Sequence, residues 1–295
     1  MSIDRVRTLI AAHARRDDLG LPGVRVAKVV DPTEPTPSIA EPIIAFSFQG
    51  AKRIALGDRV YDQLPGTFMT VAVDLPITGH YTEASRREPY LGFAMELRPP
   101  AIAELLVGAA AGLRATKTPP APGISISTAS EELVDAIARL LALVDRPDDA
   151  PVLAPLIERE ILWRVLTGPA GPTVRQIGLR DSSLTSIGRA IRHLRSHAFE
   201  PIQVEELAAL SSMGVSSFHK QFRTVTAMSP IQYQKRIRLQ EARLRLFHNP
   251  ADIAGVGHAV GYGSASQFSR EYRREFGVPP SIDADRLRRS EQVTA

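Results

Sequence analysis

The chain of 295 residues has no cysteine. That excludes disulfides, thiolate metal sites and cysteine nucleophiles, and it suits a reducing cytoplasm. Nowhere does an apolar run reach the ~18 residues that a membrane-spanning helix needs, so none is expected. The first sixteen positions mix Asp4, Arg5, Arg7, Arg15 and Arg16 with apolar residues, so no signal peptide is expected either. Histidine is sparse: before position 168 only His13 and His80 occur, and no His-x-His occurs anywhere. There is one tryptophan, Trp163, and its place in an amphipathic helical pattern reads as core or interface rather than ligand contact.

What is present divides into two parts. An apolar fraction of 44% and a charged fraction of 23% are ordinary for a globular protein, and the length suffices for two domains with their own cores. Residues 184–295 carry 16 Lys and Arg against 10 Asp and Glu, whereas residues 1–183 carry 20 against 22. A basic last third on a near-neutral body points to a polyanionic partner for that third alone.

Residues 1–20 have helical apolar spacing through Ile3, Val6, Leu9 and Ile10, stopping at Gly20 and Pro22. The period then changes to two. Strands are expected over 24–29, 43–48, 52–56, 68–73 and 90–97, with Gly57-Asp58 as the tight turn of a hairpin, while Pro65-Gly66 and Pro76 read as punctuation. Short strands with turns this close suggest a small barrel or sandwich. After Pro99-Pro100 the pattern is helical, with Ile102, Leu105, Leu106 and Ala109 on one face and amphipathic helices over 131–144 and 155–167. Gly168-Pro169-Ala170-Gly171-Pro172 is the clearest linker, which sets domains at 1–168 and 184–290 with a linker over 169–183. Beyond it Ser183 is expected to cap a helix through Ile187, Ile191 and Leu194. Further helices are expected over 204–210 and 216–223, from Pro230 through Leu244, from Pro250-Ala251-Asp252 through Val256, and over 264–276.

The last third contains one pattern twice, fifty positions apart. Ser216-Ser217-Phe218-His219-Lys220-Gln221-Phe222-Arg223 is echoed by Ser266-Gln267-Phe268-Ser269-Arg270-Glu271-Tyr272-Arg273, and a proline, Pro230 or Pro280, follows the shared arginine by seven residues. Each copy follows a short apolar helix pattern and a small-residue turn, the arrangement of a helix-turn-helix. Leu207 and Ala208 supply the first crossing and Gly214 is expected to make its turn; Ile253 and Ala254 supply the second, with Gly261 and Gly263 in the turn. Phe218 with Phe222, and Phe268 with Tyr272, form buried stripes four residues apart. Ser216, His219 and Lys220 are then left on one outer face, and Ala265, Ser266, Ser269 and Arg270 on the other. Two such helices reading one face of a duplex sit about 34 Å apart, and a connecting helix of roughly 18 residues would be about 27 Å long. Lys220 and Arg270 are the leading candidates for guanine or phosphate contact. Arg223, Lys235, Arg236, Arg238 and Arg273 are candidates for holding phosphates.

Residues 184–290 resemble the DNA-binding domain of the AraC/XylS family of bacterial transcription regulators. The resemblance rests on residues 229–243 (SPIQYQKRIRLQEAR), on 260–272 (VGYGSASQFSREY), and on the closing Phe276-Gly277-Val278-Pro279-Pro280. It implies two helix-turn-helix units joined by a long helix, with base contacts from the third and sixth helices. By position those contacts fall on Ser216, His219, Lys220, Ala265, Ser266, Ser269 and Arg270. The sequence departs from the family where an aromatic–arginine pair often follows the final proline, since Asp283-Ala284 stand there. Phe48-Gln49-Gly50-Ala51-Lys52-Arg53, Gly57-Asp58-Arg59-Val60-Tyr61 and residues 73–79 (VDLPITG) are similar to the N-terminal domain of one AraC subgroup, a cupin-like β-barrel followed by helices.

The chain is therefore expected to be a multidomain α+β protein, with a cupin-like barrel and trailing helices ahead of an all-α, homeodomain-like double helix-turn-helix. The expected function is a cytoplasmic, effector-responsive transcription regulator that is not an enzyme and carries no cofactor. The expected partners are double-stranded promoter DNA, a small molecule in the barrel, RNA polymerase and a second copy, with helices 131–167 as the dimer seam. Two alternatives stay open: a metal-dependent cupin enzyme fused to a DNA-binding tail, and an architectural protein whose N-terminal domain only dimerises. Metal-binding cupins need closely spaced histidines and a carboxylate, which this composition lacks. His193 and His197 have zinc-like spacing but no third ligand in view, and residues 255–261 lack the strand a phosphate-binding glycine loop requires. His219 reads as an exposed polar residue, and Lys52-Arg53 and Arg86-Arg87 as solvated strand and loop charges.

Overall fold

The computed structural model describes residues 2–108, 121–179, 182–248 and 252–286. Ala109, Pro250, Ala251 and positions 287–290, invoked above, lie outside the described residues. The chain divides into one compact unit of residues 1–188 with 220–227, and a second of 189–219 with 228–295.

The first unit opens with α1 (Ser2–His13) and carries two antiparallel sheets. One has the order β1-β8-β3-β6-β9, made of β1 (Val24–Val29), β3 (Ile43–Gln49), β6 (Thr67–Val71), β8 (Tyr90–Glu96) and β9 (Ile124–Thr128). The other has the order β2-β7-β4-β5, made of β2 (Thr36–Ala40), β4 (Ala51–Leu56), β5 (Arg59–Gln63) and β7 (Leu75–Glu83). The sheets do not close into the expected barrel; the arrangement is compatible with a cupin-like jelly roll.

Proline hides two of these strands in the sequence. Pro37 stands in β2, an edge strand, where a missing N–H costs no ladder bond. Pro76 stands in β7, but there β7 pairs only with β2, and its pairing with β4 begins at Thr78. The β4–β5 hairpin turns at Gly57-Asp58 as expected, with Gly57 at φ +62°.

Strand alternation gives the first sheet two unlike faces. Phe46, Phe68 and Phe93 share the face on which α1 packs, with ring centroids 4.9–5.8 Å from Phe46. The other face, toward the second sheet, presents Ala27 opposite Gly92 and Ala45 opposite Ala94.

The helices that follow are α2 (Pro99–Gly108), α3 (Glu131–Leu141) with a 3-10 turn Ala142–Asp145, α4 (Ala150–Thr167) and α5 (Gly171–Gly178). Ser130 caps α3, its Oγ accepting from the Leu133 N–H at 3.3 Å. Two expectations give way here. Helix α4 starts five residues before Pro155 and runs through it. The expected linker instead contains α5, which packs against α2 and α4 with Val174 and Ile177 buried. Pro172 stands in the first turn of α5, where proline is favoured, so the Gly-Pro run marks a helix start as well as a break.

The chain continues through α6 (Ser183–Ser196), α7 (Val204–Leu210), α8 (Val215–Thr226), α9 (Pro230–His248), α10 (Ile253–Ala259) and α11 (Ala265–Phe276), and residues 280–286 are again helical. Ser182 rather than Ser183 caps α6: its Oγ accepts from the Thr185 N–H at 3.0 Å. A reciprocal capping box opens α9. The Ser229 N–H donates to Gln232 Oε1 at 2.8 Å, and the Gln232 N–H to Ser229 Oγ at 3.2 Å.

Candidate nucleic-acid interface

The repeat survives as structure. Phe218, Phe222, Phe268 and Tyr272 are each fully buried. In the second copy Phe268 and Tyr272 share a core with Leu239, Ala242 and Leu246 of α9, with Val256 of α10, and with Val260 and Tyr262 of the turn. Asp252 Oδ1 caps α10 by accepting from the Gly255 N–H at 2.8 Å, and Ser264 Oγ caps α11 from the Gln267 N–H at 3.2 Å.

The turns differ from expectation. Both first helices end in a Schellman motif: Met213 N–H bonds to the Ala208 carbonyl at 2.9 Å, and Tyr262 N–H to the Gly257 carbonyl at 3.0 Å. The left-handed residue this motif needs is Gly261 (φ +87°) in the second copy, but Ser212 (φ +55°), not Gly214, in the first. A second left-handed pair follows α8 and α11, Ala227 (φ +57°) and Gly277 (φ +76°). The spacing is not uniform either. Helix α10 starts 49 residues after α7, at 253 against 204, while α11 starts 50 after α8, at 265 against 215. One extra residue therefore lies in the second turn, after Gly261.

Around this scaffold the basic residues fall into two sets. Lys235 Nζ pairs with Glu271 at 2.7 Å, and Arg236 Nε with Glu275 at 3.2 Å. Arg238 donates to the carbonyls of Ala198, Glu200 and Gly261 at 2.6, 2.8 and 2.9 Å, and burial lowers its pKa. These three expected phosphate ligands are thus engaged in holding α9 to its neighbours. Burial works against ionisation of Glu271, but hydrogen bonds from Lys235, Tyr262 and Gln267 outweigh it and hold its pKa below the usual carboxylate range. In contrast Lys220, Arg223, Arg270 and Arg273 are exposed, with no ion-pair partner among the described residues. Ser216, His219, Ala265 and Ser266 are exposed too, and Ser269 is half-buried. The boundary between the two compact units cuts α8 between His219 and Lys220, so Lys220 and Arg223 group with the first unit and the other candidates with the second.

A family model for the N-terminus of AraC-type transcriptional regulators matches residues 20–173, and a helix-turn-helix model matches residues 207–284. The chain belongs to the AraC-type transcriptional regulators. Among curated relatives, the HTH-type transcriptional activator RhaS of Salmonella arizonae is 25% identical over 151 residues, 51% of this chain and 54% of that protein. RhaS of Salmonella schwarzengrund is likewise 25% identical over 154 residues, with the same coverage. The chain spans about half the length of these curated relatives. Among solved structures, ToxT of Vibrio cholerae bound to an unsaturated fatty acid is 10% identical with a TM-score of 0.54, over 89% of this chain and 93% of that one. ToxT bound to (E)-4-(8-methylnaphthalen-1-yl)but-3-enoic acid is 11% identical with a TM-score of 0.56, over 90% and 98%. At that identity the likeness shows the fold alone.

The sequence departure of this AraC-type chain turns out to be structural. Asp283 is buried and accepts from Arg243 Nε and Nη2 at 2.7 and 3.2 Å and from the Tyr272 hydroxyl at 2.8 Å. Arg243 also stacks over the Phe276 ring, 5.1 Å from its centroid. Burial first, and the bond to Asp283 second, raise the Tyr272 pKa, so the hydroxyl stays a donor. Arg274, an exposed cation four residues after Arg270 on α11, was not among the expected ligands; its helical spacing signals it, but it lies outside the repeat. His193 and His197 stack with centroids 4.3 Å apart, and His193 Nε2 faces Glu206 Oε1 at 3.6 Å, so the pair serves the helix surface.

Proposed function

We propose that this chain is a sequence-specific DNA-binding transcription regulator whose N-terminal unit receives a small-molecule effector. The observation that carries the reading is the twofold placement of a buried aromatic pair beneath an exposed polar face, on α8 and α11. On α8, Ser216, His219 and Lys220 face the bases; on α11, Ala265, Ser266, Ser269 and Arg270 do. Arg223, Arg273 and Arg274 hold phosphates, since each is exposed and makes no ion pair among the described residues. The family match and the activators among the relatives support a role at promoters. The acids bound in the ToxT structures support a small-molecule effector. The protein works by binding rather than catalysis.

A homodimer fits the same reading. Val152, Leu156 and Trp163 form an exposed apolar row on one face of α4, at spacings of four and seven. Sedimentation of the full chain with Leu156→Glu is expected to yield monomer where the parent yields dimer; an unchanged dimer contradicts this seam.

Selection of bound duplexes from a random pool tests the function directly. The expected site spans two major-groove segments about one helical turn apart. Recovery of no enriched sequence, with binding set by salt alone, contradicts sequence-specific regulation.

A further inference from the structure

The second sheet turns one strong charge inward. Lys52 and Arg53 are adjacent on β4, so their side chains leave opposite faces. Arg53 points out and pairs with Asp62 at 2.6 Å, as a solvated strand charge should. Lys52 does not fit that expectation. It lines a cavity of about 320 Å³ between the two sheets, and its Nζ stands 5.2 Å from the ring centroid of Tyr81, its cross-strand neighbour. Among the described residues it has no carboxylate partner. The one carboxylate lining the cavity, Glu41, is exposed and makes no pair with it. Burial lowers the Lys52 pKa, and no neighbouring charge offsets the cost.

The rest of the cavity follows from residue size. Where the first sheet faces Lys52 it carries Ala27, Ala45, Gly92 and Ala94, which leave room between the sheets. Gly92 has a further role: a Cβ there would stand 2.8 Å from the Tyr90 ring and hydroxyl, so only glycine lets that ring lie over the strand. Tyr90 in turn packs against Tyr81, with centroids 4.5 Å apart. The result is a chamber with aromatic walls and one inward ammonium, with the exposed Arg25 and Glu41 also on its lining. The larger cleft between α2 and α4, about 680 Å³, is different: its charges are already matched, Arg98 with Glu158 at 2.7 Å and Arg159 with Glu104 at 3.8 Å.

We propose that the cavity between the sheets binds a small organic monoacid, with its carboxylate at Lys52 and its apolar body against Ala45, Met69 and Ala94. The inference rests on reading the N-terminal unit as the effector domain and names the ligand class. A volume of about 320 Å³ lies at the small end of ligand pockets, roughly 300–1,000 Å³, which excludes bulky ligands. A phosphate would bring a charge near −2 and three acceptor oxygens, more than the one inward ammonium satisfies, since Arg25 on the lining is solvent-exposed. A carboxylate matches a single point charge and offsets its burial.

Calorimetric titration of the full chain with octanoate and cinnamate, and with the neutral amides of both, tests this. At least one acid is expected to bind, at least about tenfold tighter than its amide. Lys52→Met is expected to abolish that preference, and Ala45→Leu, which fills the chamber from the opposite sheet, to exclude acid and amide alike. Equal binding of acid and amide, full acid affinity in Lys52→Met, or no binding of either acid at millimolar concentration overturns the proposal. Duplex selection on the unliganded protein separates the two failures: enriched sites without acid binding sink the ligand class alone, and acid binding without enriched sites sinks the regulator reading alone.

Discussion

In the first helix-turn-helix copy the chain leaves α7 through Ser212 and leaves α8 through Ala227, both left-handed; in the second, Gly261 and Gly277 hold the same positions. Side chains in that conformation cost about 1–2 kcal/mol each, so the first copy carries backbone strain that the second avoids. The seams differ as well. At equivalent places the first copy buries Phe222 and Tyr233, and the second buries Tyr272 and Asp283. The second adds a hydrogen-bonded group, Arg243–Asp283–Tyr272, inside its core. Repeats that look alike in sequence thus reach the same helix placement by different physical means, and substitutions at matching positions should have unlike consequences.

The largest effect is expected at Asp283. Replacing it with alanine strands the Arg243 guanidinium and the Tyr272 hydroxyl, which should cost about 3 kcal/mol in denaturant unfolding. A loss within about 0.5 kcal/mol, the size of an ordinary surface change, would remove the distinction between the two seams. Next comes Gly261→Ala. A Cβ there would stand 2.6 Å from the Phe199 carbonyl oxygen at a φ of +87°, so a loss of roughly 2 kcal/mol is expected. Ser212→Gly, its counterpart, should instead stabilise by a few tenths to about 1 kcal/mol. If both substitutions destabilise alike, the turns are not equivalent. The smallest effect is acid-dependent. Glu271 has a folded pKa below its unfolded value, so its contribution is full above the unfolded carboxylate pKa of about 4.3 and is lost as pH falls through the folded value. Glu271→Gln should flatten the acid limb of stability there, and an unaltered limb would show that Lys235 does not depend on this partner.

Much of this was legible in the sequence where side-chain periodicity alone decides the outcome. The aromatic pairs, helices α7 to α11 and the β4–β5 hairpin follow from spacing. What escaped depended on partners distant in the chain. Lys235, Arg236 and Arg238 look like phosphate ligands until Glu271, Glu275 and three backbone carbonyls are seen to occupy them. Asp283 reads as a lost contact until Arg243, forty residues earlier, is beside it. Lys52 and Arg53 are indistinguishable by composition; only pleating and sheet packing separate the outward charge from the inward one. Strands β2 and β7 were hidden by prolines whose cost depends on which edge of the strand is paired.

Duplex selection with the parent chain and with Lys220→Ala and Arg270→Ala tests the central claim most directly, that two unlike helices read two unlike segments. The expected parent site is asymmetric, with each substitution costing about 1–3 kcal/mol and relaxing base preference in a different segment. Relaxation of the same positions by both, or a uniform loss across all sequences, would contradict it.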